Sequence, residues 1–309
     1  MTTAFITHPD CLKHDMGAHH PESPERLGAI EDQLIASGVA QYLARYEAPL
    51  ASDDALARVH PLEYVRAIRE VAPAHGTVHL DPDTAMNPYS LAAALRAAGA
   101  AVLATDLVIA GEAENAFCAV RPPGHHACRA RPMGFCIFNN VAVAARHAVR
   151  AHGVERVAII DFDVHHGNGT EDIFAHDENV LMASTFQHPF YPYSGTEDPA
   201  PNMVNVPLAA GAGSKEFREA VSEAWIPALE AFQPQLVIFS AGFDAHAEDD
   251  MAMLRLGDAD YGWATAKVKE VADRTAGGRI VSVLEGGYAL SALGRSVVQH
   301  LRVLAGLNA

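Results

Sequence analysis

Five short runs of the chain, residues 115–120, 156–161, 179–185, 235–241 and 279–284, are apolar almost without interruption. A strand with one wet face alternates apolar and polar residues, because successive side chains point to opposite sides. Runs that do not alternate need cover on both faces, and a parallel sheet flanked by helices provides it. Longer segments of helical character lie between them, at 90–110, 140–152, 214–232 and 259–275. A further helix is expected to start at Ser23-Pro24-Glu25, with Ser23 as N-cap and Pro24 at the first helical position, and to stop at Gly38. This alternation, with right-handed crossovers, predicts an α/β fold: a three-layer α/β/α sandwich around a central, mostly parallel sheet. No repeat, low-complexity tract or Ser/Gly linker interrupts the pattern, so residues 1–309 read as a single domain.

Ligands of such sheets bind just beyond the carboxyl ends of the strands. Four of the runs lead directly into reactive clusters. Run 115–120 enters Arg121-Pro122-Pro123-Gly124-His125-His126, and run 156–161 enters Asp161-Phe162-Asp163-Val164-His165-His166-Gly167-Asn168-Gly169. Run 235–241 ends in Gly242-Phe243-Asp244, and run 279–284 in Glu285-Gly286-Gly287-Tyr288. In an extended segment Asp163 and His165 project to one side and reach a common ion. Asp244 completes two carboxylates and one imidazole with coordination positions left open, as a catalytic zinc requires. Ligand softness alone also admits iron(II), cobalt or manganese. Asp161 is expected to support a ligand rather than be one.

The pair His125-His126 would move protons to and from a reacting amide, and Tyr288, after two glycines, would stabilise a tetrahedral oxyanion. Each feature alone is ordinary. His19-His20 is a second such pair, strand-end aspartates often serve as caps, and Pro-Pro-Gly and Gly-Gly-Tyr are common turns. Their conjunction at the exits of four strands points to metal-assisted attack of water on an amide.

The formal charge of −16 argues against direct nucleic-acid binding, which needs basic patches. Cys11, Cys118, Cys128 and Cys136 form no C-x-x-C pair, so buried reduced thiols are expected rather than a cysteine zinc site. No uncharged apolar run of about 18 residues suggests a membrane span. The N-terminus lacks the basic and apolar regions of a secretory signal, so the chain is expected to be cytoplasmic. A homo-oligomer is compatible with all of this.

The motifs occur in a familiar order. Residues 20–27 (His-Pro-Glu-Ser-Pro-Glu-Arg-Leu), 121–127, 134–140, 161–170, 240–244 and 285–288 resemble the histone-deacetylase superfamily, in its class II and bacterial amidohydrolase branch near the acetylpolyamine amidohydrolases. The resemblance implies an arginase/deacetylase fold with Zn2+ on Asp163, His165 and Asp244. It implies His126 as general base and acid, His125 as its electrostatic partner, and Asp161 and Asn168 orienting His125 and His126 in turn. Asn168 stands where class I enzymes carry aspartate. Tyr288 stands where some weakly active members carry histidine. Phe135 and Tyr191 would wall an acyl-lysine tunnel, and the Gly134 carbonyl would accept the substrate N–H. A structural K+ would sit on Asp161, Asp163, Ser184 and carbonyls near His165 and Thr185, and Arg26 would line an acetate exit.

Asp83 is expected at the tunnel rim, hydrogen-bonded to substrate, with a solvated loop acid as the plain alternative. Polyamine-specific members place an acidic gate beyond the third ligand, where Glu248, Asp249 and Asp250 lie. The implied substrate is an acylated amine: acetyl-lysine in protein, an acetylpolyamine or another small acetylated amine. Two other readings are weighed. A binuclear-manganese ureohydrolase would need the signature Asp-Ala-His-x-Asp, which is absent, since Glu248 follows Asp244-Ala245-His246-Ala247. A non-catalytic acyl-amine binding protein would show no turnover.

Overall fold

The computed structural model describes residues 2–307. The chain begins with β1 (Thr3–Thr7), α1 (Glu25–Ala36), β2 (Leu43–Glu47), α2 (Asp53–Ala57) and α3 (Leu62–Val71). A small hairpin, β3 (Val78–His79) and β4 (Ala85–Met86), precedes α4 (Ser90–Ala110) and β5 (Asn115–Cys118). Next come α5 (Asn140–His152), β6 (Val157–Asp161), α6 (Asn168–Phe174), β7 (Val180–Gln187) and β8 (Met203–Leu208). The chain closes with α7 (Ser214–Ala220), α8 (Ile226–Phe232), β9 (Leu236–Ala241), α9 (Asp258–Thr275), β10 (Ile280–Leu284) and α10 (Leu290–Leu304).

Eight strands form one sheet in the order β2-β1-β5-β10-β9-β6-β7-β8. Every pairing in it is parallel, and helices cover both faces. All residues of β6, β7, β9 and β10 are buried, as runs without polar alternation require. Each fully buried Val or Ile contributes roughly 1.5–3 kcal/mol relative to exposure. Strands β5, β10, β9 and β6 are neighbours, so their four carboxyl ends open side by side at the middle of one sheet edge. That adjacency converts four separate motifs into one site.

The helix boundaries show where local chemistry overrides the expectation. Helix α1 begins one residue after Pro24, and Ser23 contributes its backbone carbonyl to Arg26 rather than a side-chain cap. Gly38 does end it, at φ 74°. The expected helix 214–232 is interrupted by a π-helical turn, Val221–Trp225. Pro227, just beyond, has no N–H for the carbonyl four residues back, and the wider turn absorbs the defect. Helix α4 has the length and apolarity to cross a membrane, yet 67% of its most apolar window is buried against the sheet and α5.

Candidate active site

The strand ends bring Asp163, His165 and Asp244 together, all buried, with one donor atom of each within 4.8 Å of the others. His165 Nδ1 lies 3.0 Å from Asp163 Oδ1 and 3.3 Å from Asp244 Oδ2. Backbone N–H groups fix the carboxylates: Gly286 donates to Asp163 Oδ2 (2.9 Å), His165 to Asp163 Oδ1 (2.9 Å) and Val164 to Asp244 Oδ1 (2.9 Å). Glycine is needed at 242 and 286, because a Cβ at either position would overlap these carboxylate oxygens. Asp244 Oδ2 alone accepts no hydrogen bond, although it is buried. Burial, and then the charge of Asp163, push the Asp244 carboxyl up to about 6. Burial opposes charge on His165 too, but Asp163 and Asp244 outweigh it and raise its pKa to about 9. Two buried carboxylates and an imidazole converging within 4.8 Å, one oxygen without a hydrogen bond, fit a divalent cation.

Beside this group stand His125 and His126, ring centroids 4.0 Å apart. His125 Nδ1 is 3.0 Å from Asp161 Oδ2, and His126 Nδ1 is 2.7 Å from Asn168 Oδ1. The environments push the two imidazoles in opposite directions. Burial disfavours the His125 cation, but Asp163 and Asp161 prevail and hold its pKa well above the usual value. Burial, then the positive His125, hold His126 well below it. The two rings are thus biased toward opposite protonation states. The buried Glu285 carboxylate accepts the N–H groups of Gly124 (2.6 Å) and His125 (3.0 Å) and so fixes the loop that carries the pair. The turn motif flagged Glu285 without showing this part.

Tyr288 borders a cavity of about 170 Å³ that His125, His126 and His165 also line. Burial, then Asp244, hold its phenol far above its usual pKa, so it remains a donor. Its backbone N–H and that of Ala289 donate to Asp249 Oδ2 at 2.6 and 2.9 Å. Arg26, wholly buried, donates to the carbonyls of Gly287 (2.6 Å) and Glu285 (2.5 Å) on either side of the turn. Its guanidinium lies 5.0 Å from the Tyr288 ring. Glu22 balances Arg26 (3.0 Å) and Arg121 (2.7 Å), which accounts for Glu22 and Arg26 of the 20–27 motif. Arg26 is therefore built in as a brace behind Tyr288.

The cavity walls are Phe135, Tyr191 and Phe190, the last stacked on His165 with centroids 5.6 Å apart. Phe190 was not anticipated from sequence; it directly precedes Tyr191. Gly134 and Phe135 both adopt left-handed backbone (φ 58° and 69°). A Cβ on Gly134 would strike the His126 ring, so the wall approaches only as glycine. Asp83, in the β3–β4 turn, lines the cavity and clamps this wall: its Oδ1 accepts the Gly134 N–H (3.0 Å), while Thr84 Oγ1 accepts that of Phe135 (3.0 Å). The Gly134 carbonyl accepts the Cys136 thiol at 3.2 Å.

Beyond Asp244 the three acids diverge. Asp249 turns inward to Tyr288, Glu248 binds Arg295 (2.7 Å), Asp250 is exposed, and Met251 lines the cavity. His246 turns to Asp258 (3.0 Å), away from the donor set, so it offers no second metal ligand there. Ser184 lies in register with Asp161 across β6 and β7, with Thr185 next to it, and Ser184 Oγ donates to Asn205 (3.1 Å). All four cysteines are free and buried. A second His/Asp group, Asp106 with His147 and His152, is a hydrogen-bond chain. Arg58 donates to His147 Nδ1 (2.5 Å), so His147 Nε2 carries the proton it gives Asp106 (2.7 Å) and has no lone pair for a metal.

The central strand ends of an all-parallel α/β/α sheet thus feed one aromatic-walled cavity lined by His125, His126, His165 and Tyr288, residue types suited to a hydrolytic site. Comparison with known proteins agrees. The family described as histone deacetylase domain matches residues 20–304. A histone deacetylase-like amidohydrolase of Pseudomonas aeruginosa is 41% identical over 310 residues, covering 93% of this chain and 81% of its own. The human polyamine deacetylase HDAC10 is 35% identical over 99% of this chain and 48% of its own length. The crystal structure of the HDA15 HD domain superposes with a TM-score of 0.91 at 35% identity, covering 99% of this chain and 88% of that one. The chain belongs to the histone deacetylase family, whose deacetylase and amidohydrolase relatives mark it as a hydrolase.

Proposed function

We propose that residues 1–309 form one catalytic domain, a zinc-dependent amidohydrolase that removes an acyl group, foremost acetyl, from an amine nitrogen. Asp163, His165 and Asp244 would hold the Zn2+. The observation that carries the reading is the buried Asp244 Oδ2, which accepts no hydrogen bond, within a three-donor group whose His165 lines the same cavity as His126. When bound, zinc supplies Lewis acidity toward the amide carbonyl and acidifies water.

The chain's own residues do the rest. His126, neutral and tied at Nδ1 to Asn168, accepts a proton at Nε2 from the attacking water and returns it to the departing amine. The His125 cation, held by Asp161, stabilises the negative charge that develops beside it. Tyr288 donates a hydrogen bond to the oxyanion, and its braced turn spares reorganisation at that moment. Phe135 and Tyr191 exclude water from the methylene chain, and the Gly134 carbonyl accepts the substrate N–H. A K+ on Asp161, Asp163, Ser184 and the carbonyls of His165 and Thr185 would offset the buried negative charge behind the site.

The test is zinc content and turnover of a fluorogenic acetyl-lysine peptide, before and after chelation and zinc return. A zinc-replete protein that binds the peptide without turnover is a binding protein, not this enzyme. A second substrate reading has its own observation: the carboxylates of Asp83 and Asp81 flank the Tyr191 wall and offer partners to a cationic tail. Kinetics on acetyl-lysine peptide, acetylspermidine and acetylputrescine side by side decide between them.

A further inference from the structure

An asparagine amide has two nearly isosteric orientations, and at position 168 they give opposite chemistry. With Oδ1 toward His126 Nδ1, as found at 2.7 Å, Nδ1 carries the proton and Nε2 keeps a free lone pair. With the amide turned over, Nδ2 donates to Nδ1, the proton of the neutral ring moves to Nε2, and the ring no longer accepts a proton there. What selects the orientation lies on the far side of Asn168. Its Nδ2 is 3.4 Å from Met133 Sδ and 3.5 Å from Cys128 Sγ. A thioether has lone pairs and no proton, so it only accepts. The Cys128 thiol directs its own proton to the His126 carbonyl (3.7 Å), which leaves sulfur lone pairs toward Asn168. A turned amide would aim its oxygen at two electron-rich sulfurs.

We propose that Met133 and Cys128 are positioning residues that lock the Asn168 amide and thereby fix His126 in its Nδ1–H tautomer. The proposal deepens the reading of His126 as the base and rests on it for its kinetic consequence. Both sulfurs are held in place by the backbone of their own loop. Cys128 N–H donates to Arg131 O (2.9 Å), and Met133 and Cys136 exchange backbone hydrogen bonds (3.2 and 3.0 Å). A carboxylate at 168 would be symmetric and need no lock, which supplies the control.

The experiment uses the metal-replete protein with 15N-labelled histidine, whose ring-nitrogen shifts distinguish the tautomers, alongside kcat and KM. In the parent, His126 is expected almost wholly as Nδ1–H. Met133→Leu conserves volume; combined with Cys128→Ala it removes both acceptors and leaves two orientations of similar energy, so about half the rings switch and kcat falls about twofold. Met133→Lys replaces an acceptor with a charged donor, so Nδ1–H becomes the minor form and kcat falls about tenfold, with KM little changed. In an Asn168→Asp background none of these substitutions should move the tautomer. An unchanged Nδ1–H population in Met133→Lys, or the same loss in the Asn168→Asp background, overturns the lock. A switched tautomer with normal kcat leaves the lock standing and removes His126 from its role as base.

Discussion

Asp249 offers a direct measure of how much the Tyr288 turn depends on one buried carboxylate. Its two oxygens accept three backbone N–H groups: Tyr288 (2.6 Å) and Ala289 (2.9 Å) on Oδ2, Met251 (3.0 Å) on Oδ1. Asp249→Asn keeps the shape but has one acceptor end. The best orientation keeps the oxygen on Tyr288 and Ala289 and faces its NH2 toward the Met251 N–H. One charge-assisted bond is then lost and the other two weaken, for a stability cost of about 1.5–3 kcal/mol. Denaturant unfolding reads that cost. The kinetic effect runs through Tyr288, so kcat is expected to drop about tenfold while KM moves little. A double-mutant cycle isolates the mechanism: in a Tyr288→Phe background the added Asp249→Asn should leave kcat nearly unchanged. Equal kcat losses in both backgrounds would show that Asp249 acts on the fold at large and would refute the positioning argument.

Tyr288→Phe itself should lower kcat and kcat/KM alike by about 10² to 10³, with zinc retained, because the lost donor serves only the transition state; near-normal turnover would return the oxyanion to other groups. Asp244→Ala should lose both metal and activity, as read by atomic absorption and turnover, and full zinc occupancy in that variant would contradict the ligand set. Asp83→Ala removes the acceptor of the Gly134 N–H and a rim carboxylate, so kcat/KM should fall for every acylated amine assayed; an unchanged value for all would leave Asp83 without a rim function. The pH dependence of stability has a definite sign. Burial pushes His60 down to about 4 and His300 down to about 3, so the folded state releases protons that the unfolded chain holds near 6.5. The contribution of these two histidines is full above about pH 6.5 and is lost progressively as pH falls through that range toward 3, by an amount on the order of several kcal/mol. His300→Gln should flatten the slope of unfolding free energy against pH between those limits, and an unaltered slope would reject the assignment.

The five apolar runs were legible because burial on both faces leaves no polar alternation to confuse them. Strands β1, β2 and β8 were not. β2 is an outer strand whose burial alternates along Leu43–Glu47, and β8, at the other edge, contains Pro207, which an interior strand excludes. At the site, the candidate residues that the structure gathers at the strand ends announced themselves by type and spacing. Those that hold them did not. Asp249 lies 39 residues from Tyr288 and Met133 lies 35 from Asn168, and neither distance leaves a local signature. Asp249 belonged, by sequence, to a run of acids suited to a gate; only the fold shows it turned inward as an acceptor.

Strand β10 lies at the middle of the sheet, between β5 and β9, although it is the last strand in order among the described residues. Until residues 280–284 emerge during synthesis, the growing protein can assemble only two partial sheets, β2-β1-β5 and β9-β6-β7-β8, each with a bare apolar edge. Closure of the sheet therefore waits for β10, and the same segment carries Glu285 and Tyr288. A ribosome that stalls shortly before this point releases a chain with two sticky edges and no chemistry, a natural client for chaperones and proteases. Completion of the sheet and placement of the Tyr288 loop thus depend on one and the same strand in this topology.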